Sequence, residues 1–159
     1  MRKNNYRKNI GSVSSGTMLT TDLHPALVSE LESMRPLRKE HRKLLREIEE
    51  RQNAAELLNL DYFEVLDGEQ ASEDIEELTT ALQEYCLPGF YFGAHPGDGA
   101  DFGYWLSESF AEDFDGLKVD DTSEVPKGYT GEVLHVNDHG NMSLYVYSRG
   151  KSREVWAIV

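Results

Sequence analysis

The sequence predicts an α+β fold, with N-terminal helices, one of them long and amphipathic, packed on a C-terminal antiparallel sheet or meander. Three observations carry this. Apolar residues recur at three- and four-residue steps as far as Cys86; Pro88-Gly89 ends that pattern; beyond it come six short aromatic and β-branched runs punctuated by Gly, Asp, Asn, Pro and Ser. At 159 residues the chain suits one core better than two. A single domain is expected over 21–159, helical over 21–87 and sheet over 88–159.

The first 20 residues carry basic side chains but no periodic apolar face, and read as a flexible basic arm. They lack the apolar core of a secretory signal, and no apolar run reaches the roughly 18 residues that span a bilayer, so a cytoplasmic protein without membrane contact is expected. Met18 is an alternative start, which would place residues 1–17 outside the native chain.

In TTDLHPALVSELESM, a cap at Thr21 or Asp22 and the apolar Leu27, Val28, Leu31 and Met34 mark a short helix that Pro36 interrupts. A longer helix follows, with Leu37, Leu44, Ile48, Ala55 and Leu58 along one side and Glu47 placed to pair with Arg51. Arg35, Arg38, Lys39, Arg42, Lys43 and Arg46 form a basic stripe on it, for which the plain counterpart is the protein's own acidic body and the sharper ones are a partner or a nucleic-acid backbone. SEDIEELTTALQEYC reads as the next helix, capped by Ser72, with Ile75, Leu78 and Leu82 inward and Glu73, Glu76, Glu77 and Glu84 outward. After Gly89 come GFYFGAH, DFGYWLS, GLKVDD, GEVLHV, MSLYVYS and REVWAIV, the last three joined through NDHGN and a tight turn at Arg149-Gly150-Lys151. Phe90, Tyr91, Phe92, Phe102, Tyr104, Trp105 and Trp156 are expected in the core.

Charge narrows the function classes. The net charge is −13, but residues 1–55 carry 11 Lys and Arg against 7 Asp and Glu, whereas residues 56–159 carry 5 against 22. Between 56 and 124 the single basic residue is Lys118. The acidic body therefore opposes direct binding to DNA or anionic lipid, and its partners should be basic. One cysteine, Cys86, excludes an internal disulfide and a Cys-based zinc cluster. There is no Walker loop, no GxGxxG and no G-x-S-x-G.

Two loops hold the residues closest to chemistry. HPGDGAD and HVNDHGN place His95, Asp98 and Asp101, then His135, Asp138 and His139, in short runs. Their Gly, Asn, Asp and Pro content is what turns require, and His135 sits within a strand. Read instead as ligands, the six suit a divalent metal such as zinc, manganese or iron, and an imidazole beside a carboxylate suits acid–base catalysis. A metal-dependent or acid–base enzyme is thus one alternative to a protein without cofactor.

The acidic runs give the leading reading. EDIEE, ESFAEDFD and DDTSE, together with Glu84 beyond the first run, present Glu73, Glu76, Glu77, Glu84, Glu108, Glu112, Asp113, Asp115, Asp120 and Asp121 as partner-binding candidates, with Phe110 and Phe114 interleaved. In size, charge and acidic patches the chain resembles the small acidic DNA-mimic inhibitors of phages and plasmids. That resemblance is one of class and implies a non-catalytic binding protein that occupies the basic groove of a nucleic-acid-handling protein, without assigning roles to single residues. A third reading is an interaction module that self-associates through the 37–58 helix.

Overall fold

The computed structural model describes residues 9–65 and 68–158. Backbone contacts cluster into two compact units divided between Leu106 and Ser107, where the sequence reading draws one body over 21–159. The α+β class holds: apart from one short N-terminal strand the first four helices precede the strands, which form a three-stranded antiparallel sheet and a four-stranded mixed one. No described helix is long and apolar enough to cross a membrane.

The first unit orders its elements as β1 (Gly11–Ser14), α1 (Thr20–Glu32), α2 (Lys39–Leu57), α3 (Tyr62–Val65), α4 (Gly68–Gln83), β2 (Phe90–His95) and β3 (Asp98–Leu106). Strands lie in the order β1-β3-β2. Residues 11–14 are thus a strand where the sequence reads an arm; the remainder of that arm up to residue 8 lies outside the described residues. GSVS lacks the alternation that announces a strand, because it is held by backbone pairing to β3 some ninety positions away. That pairing needs Gly103: a Cβ there would lie 2.2 Å from the Gly11 carbonyl oxygen.

Helix α1 packs on α4 and on β1, and α4 packs on β2. Leu23, Leu27, Leu31 and Met34 meet Leu78, Ala81, Leu82, Phe90, Phe92 and Tyr104 in the core, each almost wholly buried. Phe90, Phe92 and Tyr104 fulfil the core expectation; Tyr91 and Trp105, on the opposite face, are only half-buried, as is Phe102 on the Tyr104 face nearer the hairpin turn. Gln83 guards the β2 edge, its Oε1 accepting from the Phe92 N–H at 2.9 Å and its Nε2 donating to the Phe90 carbonyl.

Several local expectations shift. Helix α1 has Leu19, without a side-chain bond, at its N-cap, and Asp22 lies in its first turn, where it accepts from Thr17 Oγ1. Helix α4 begins at least four residues before Ser72, which therefore does not cap it; its hydroxyl donates back to the Gly68 carbonyl. On α2, Ile48 and Ala55 are core, whereas Leu58 is 69 % exposed because the helix ends at Leu57 and Asn59 turns to positive φ. Arg51 leaves Glu47, which pairs with Lys43 instead.

The second unit contains α5 (Phe110–Asp113), β4 (Leu117–Val119), β5 (Gly131–Val136), β6 (Met142–Ser148) and β7 (Lys151–Ile158), with strand order β4-β5-β6-β7. Strands β5 to β7 form the expected meander. Leu134, Leu144 and Trp156 stand in one row across it, each about 1 % exposed or less, and Phe110 packs on Trp156. Its last turn is Arg149-Gly150, both at positive φ, which suits the twist of a two-residue hairpin. Strand β4 departs from the antiparallel expectation, since it runs parallel to β5. The connection through residues 120–130 is long enough to return the chain in that direction.

Candidate functional site

All ten carboxylates proposed from the sequence as a partner surface are exposed. On α4 this follows from helical spacing: Ala71, Leu78, Ala81 and Leu82 take the inner face, leaving Glu73, Glu76 and Glu77 outside, with Glu84 in the turn just after the helix. In the second unit, Glu108, Glu112, Asp113 and Asp115 flank or lie on the short α5, while Asp120 and Asp121 follow β4. Among the described residues only Glu84 of the ten has an ion-pair partner. Asp121 is held below the usual carboxylate range, chiefly because it accepts the Ser123 N–H. The basic stripe of α2 is answered only in part by the protein itself. Arg38 pairs with Glu84 and Lys43 with Glu47, and Arg35 donates to the Glu32 and Met34 carbonyls.

The acidic run EDIEE is interrupted by burial. Asp74 is 1 % exposed, and its two oxygens accept from four donors. Oδ1 takes Arg51 at 2.6 Å and Gln70 at 3.1 Å; Oδ2 takes His24 Nε2 at 3.1 Å and the Tyr62 hydroxyl at 3.4 Å. His24 is wholly buried, with Tyr62 and Phe63 against its ring. Burial alone would lower Arg51, but its bonds to Tyr62 and Asp74 outweigh this and hold the guanidinium above its usual value. Burial raises the Tyr62 hydroxyl. This network ties α1, α2, α3 and α4 to one carboxylate. With His24 fully inside, it is a structural clamp rather than a place where a substrate is met.

A second imidazole–carboxylate arrangement opens to solvent between α2 and α4. His41, buried on the inner face of α2, lies with Nδ1 2.8 Å from the Tyr85 hydroxyl and Nε2 3.7 Å from Glu84 Oε1. Glu40, His41 and Glu84 each present a ligand atom, and the three lie within 4.8 Å of one another. The groove that holds them has a volume of about 480 Å³ and is also lined by Glu47, Glu76 and Glu77. Of these residues the sequence reading named Glu76, Glu77 and Glu84 as surface charges and missed His41. A signal existed, for His41, Ile48 and Ala55 stand at seven-residue steps and are the buried positions of α2. Asp74 likewise falls on the stripe of Ala71 and Leu78.

Of the six residues singled out from the two loops, His95, Asp98 and His139 make turn hydrogen bonds. His95 Nδ1 accepts the Gly97 N–H at 3.0 Å and its ring stands edge-on to Trp105. Asp98 accepts the Ala100 N–H and Asp101 accepts the Ser12 hydroxyl, which fastens β1 to β3. In the second unit, His135 Nε2 lies 3.0 Å from the Asp120 carbonyl oxygen. Asn137 Oδ1 accepts from both His139 and Asn141, Gly140 takes positive φ, and Asp138 and His139 are exposed. The first three residues belong to one unit and the last three to the other. Among the described residues, neither loop alone gathers three ligand atoms as Glu40, His41 and Glu84 do.

No family model, curated protein or solved structure matches this chain.

Proposed function

We propose that the protein is a non-catalytic acidic binding protein whose partner is basic, in the manner of a nucleic-acid-handling protein with a groove for a phosphate backbone. The observation that carries the reading is the set of exposed carboxylates without internal counterions, nine of the ten having no ion-pair partner among the described residues. Such groups hold mobile cations, and a basic surface that displaces them gains the entropy of counterion release. Phe110 and Phe114, half-buried within the 108–115 run, add apolar area beside the charge.

Affinity capture at low and high salt tests this. A basic protein should be retained near 0.05 M salt, competed by duplex DNA, and bound at least about tenfold more weakly at 0.2 M. Combined Glu73→Lys, Glu76→Lys and Glu77→Lys changes, and separately Asp113→Lys with Asp115→Lys, show which unit supplies the contact. Retention indifferent to salt and to both sets of reversals sinks the proposal.

A second reading, self-association at the end of α2, is favoured by Leu57, Leu58 and Leu60, which are 84, 69 and 48 % exposed. Sedimentation of the wild type and of Leu57→Lys decides it, since a monomer at all concentrations rules it out.

A further inference from the structure

The α2–α4 groove, which shares Glu84 with the proposed partner surface, has the makings of a metal centre. His41 enters it from a side chain only 7 % exposed, so its ring cannot wander. The Tyr85 hydroxyl sits on Nδ1 and is itself positioned by the Arg38 backbone N–H at 3.1 Å. This leaves Nε2 as the nitrogen aimed into the groove, with Glu84 Oε1 at 3.7 Å, too long for a hydrogen bond. Glu84 is oriented in the same fashion: Arg38 Nη1 holds Oε2, and Oε1 is left facing the imidazole. Glu40 precedes His41 at the start of α2 and brings a third ligand atom within 4.8 Å of the other two.

We propose that Glu40, His41 and Glu84 form a divalent-cation site, with zinc or a similar borderline transition metal as its occupant. One imidazole and two carboxylates suit such ions, whereas calcium and magnesium prefer oxygen alone. A tetrahedral ion with bonds of about 2.0–2.2 Å needs its ligands roughly 3.4 Å apart. The His41–Glu84 separation of 3.7 Å is already near that value, and Glu40, on an exposed side chain, can close the remainder. Both fixed ligands have the outer-shell partner that metal-binding imidazoles and carboxylates use, Tyr85 for one and Arg38 for the other. Lys43 also lines the groove and offsets Glu47, but Glu76 and Glu77 keep the lining net negative, which raises the local cation concentration. Three protein ligands leave one position open, to water or to a side chain of another molecule.

Untagged, metal-stripped protein titrated with zinc chloride in a calorimeter tests the site, with melting temperature read alongside. The expected result is one equivalent bound with a rise in melting temperature. Glu40→Gln, on an exposed position, should weaken binding at least about tenfold, as should Tyr85→Phe. The triple change His95→Gln, His135→Gln and His139→Gln should leave it unchanged. A ¹⁵N shift of His41 Nε2 on zinc addition identifies the ligand atom directly. Absence of a bound equivalent, binding that survives both Glu40→Gln and Glu84→Gln, or binding lost with the triple change overturns the proposal. Because Glu40 is outside the proposed partner surface, Glu40→Gln leaves capture of a basic protein intact, and the two proposals stand or fall separately.

Discussion

Helix α4 and the turn after it contribute to two imidazole–carboxylate pairs ten residues apart, and the two differ in almost everything but composition. His24 and Asp74 are 0 and 1 % exposed, and four donors occupy both carboxylate oxygens. His41 and Glu84 are 7 and 39 % exposed, with one oxygen taken by Arg38 and the other facing a groove. Residue type alone does not decide what such a pair does. A carboxylate whose bonds are all made inside the fold holds elements together; one with an oxygen to spare at a wet edge can take a ligand.

The comparison breaks most sharply at Asp74. Its replacement by alanine leaves the buried His24 and the one-third-exposed Arg51 without their carboxylate and should cost about 3 kcal/mol, read as a lower urea midpoint for the first unit. With Trp156 removed as Trp156→Phe, Trp105 remains to report on that unit, and an unchanged midpoint would mean that the clamp contributes nothing. His24→Leu keeps most of the volume and leaves Asp74 three of its donors, so a smaller loss of about 1–3 kcal/mol is expected by the same readout.

Alkaline pH should sharpen the contrast. Burial pushes the Cys86 thiol up to about 12. Burial also raises the Tyr62 hydroxyl, and burial together with the Glu30 carboxylate raises that of Tyr104, which donates to Glu30 at 3.0 Å. Each of these protons is held more tightly in the folded than in the unfolded chain. Stabilisation from them is therefore complete below about pH 8.5, the unfolded thiol value, and drains away as pH climbs through 9 to 12. Urea midpoints measured across that range should fall, and Tyr62→Phe should flatten part of the fall. The smallest effect is expected at the open pair. Arg38→Ala should change stability by less than about 1 kcal/mol, and less still in high salt, because the ion pair it breaks is exposed.

The contrast also marks what could be read without coordinates. Leu27 to Met34, Ile48 to Ala55 and Leu78 to Leu82 reveal their helices through spacing, since each helix must turn one face inward. GEVLHV, MSLYVYS and REVWAIV reveal a meander through alternation and through Asn-Asp-His-Gly and Arg-Gly turns. The exposure of Glu73, Glu76 and Glu77 follows from the same helical count. Against this, Asp74 reads as one more surface acid in EDIEE, and Arg51 reads as a partner for Glu47, because local rules weigh only neighbours along the helix.

What the sequence by itself determined is therefore everything with a period: the helices, the later strands, the turn at 137–140, the split between basic and acidic halves. What tertiary structure alone decided are the pairings made across long stretches of chain. Ser12 meets Asp101, β4 lies parallel to β5, His24 finds Asp74 and His41 finds Glu84 only once the elements pack. Periodicity reports how a segment partitions between water and core, an energy that each residue carries with it. A hydrogen bond or a ligand set depends on the position of a second group, and that position is a property of the folded chain as a whole.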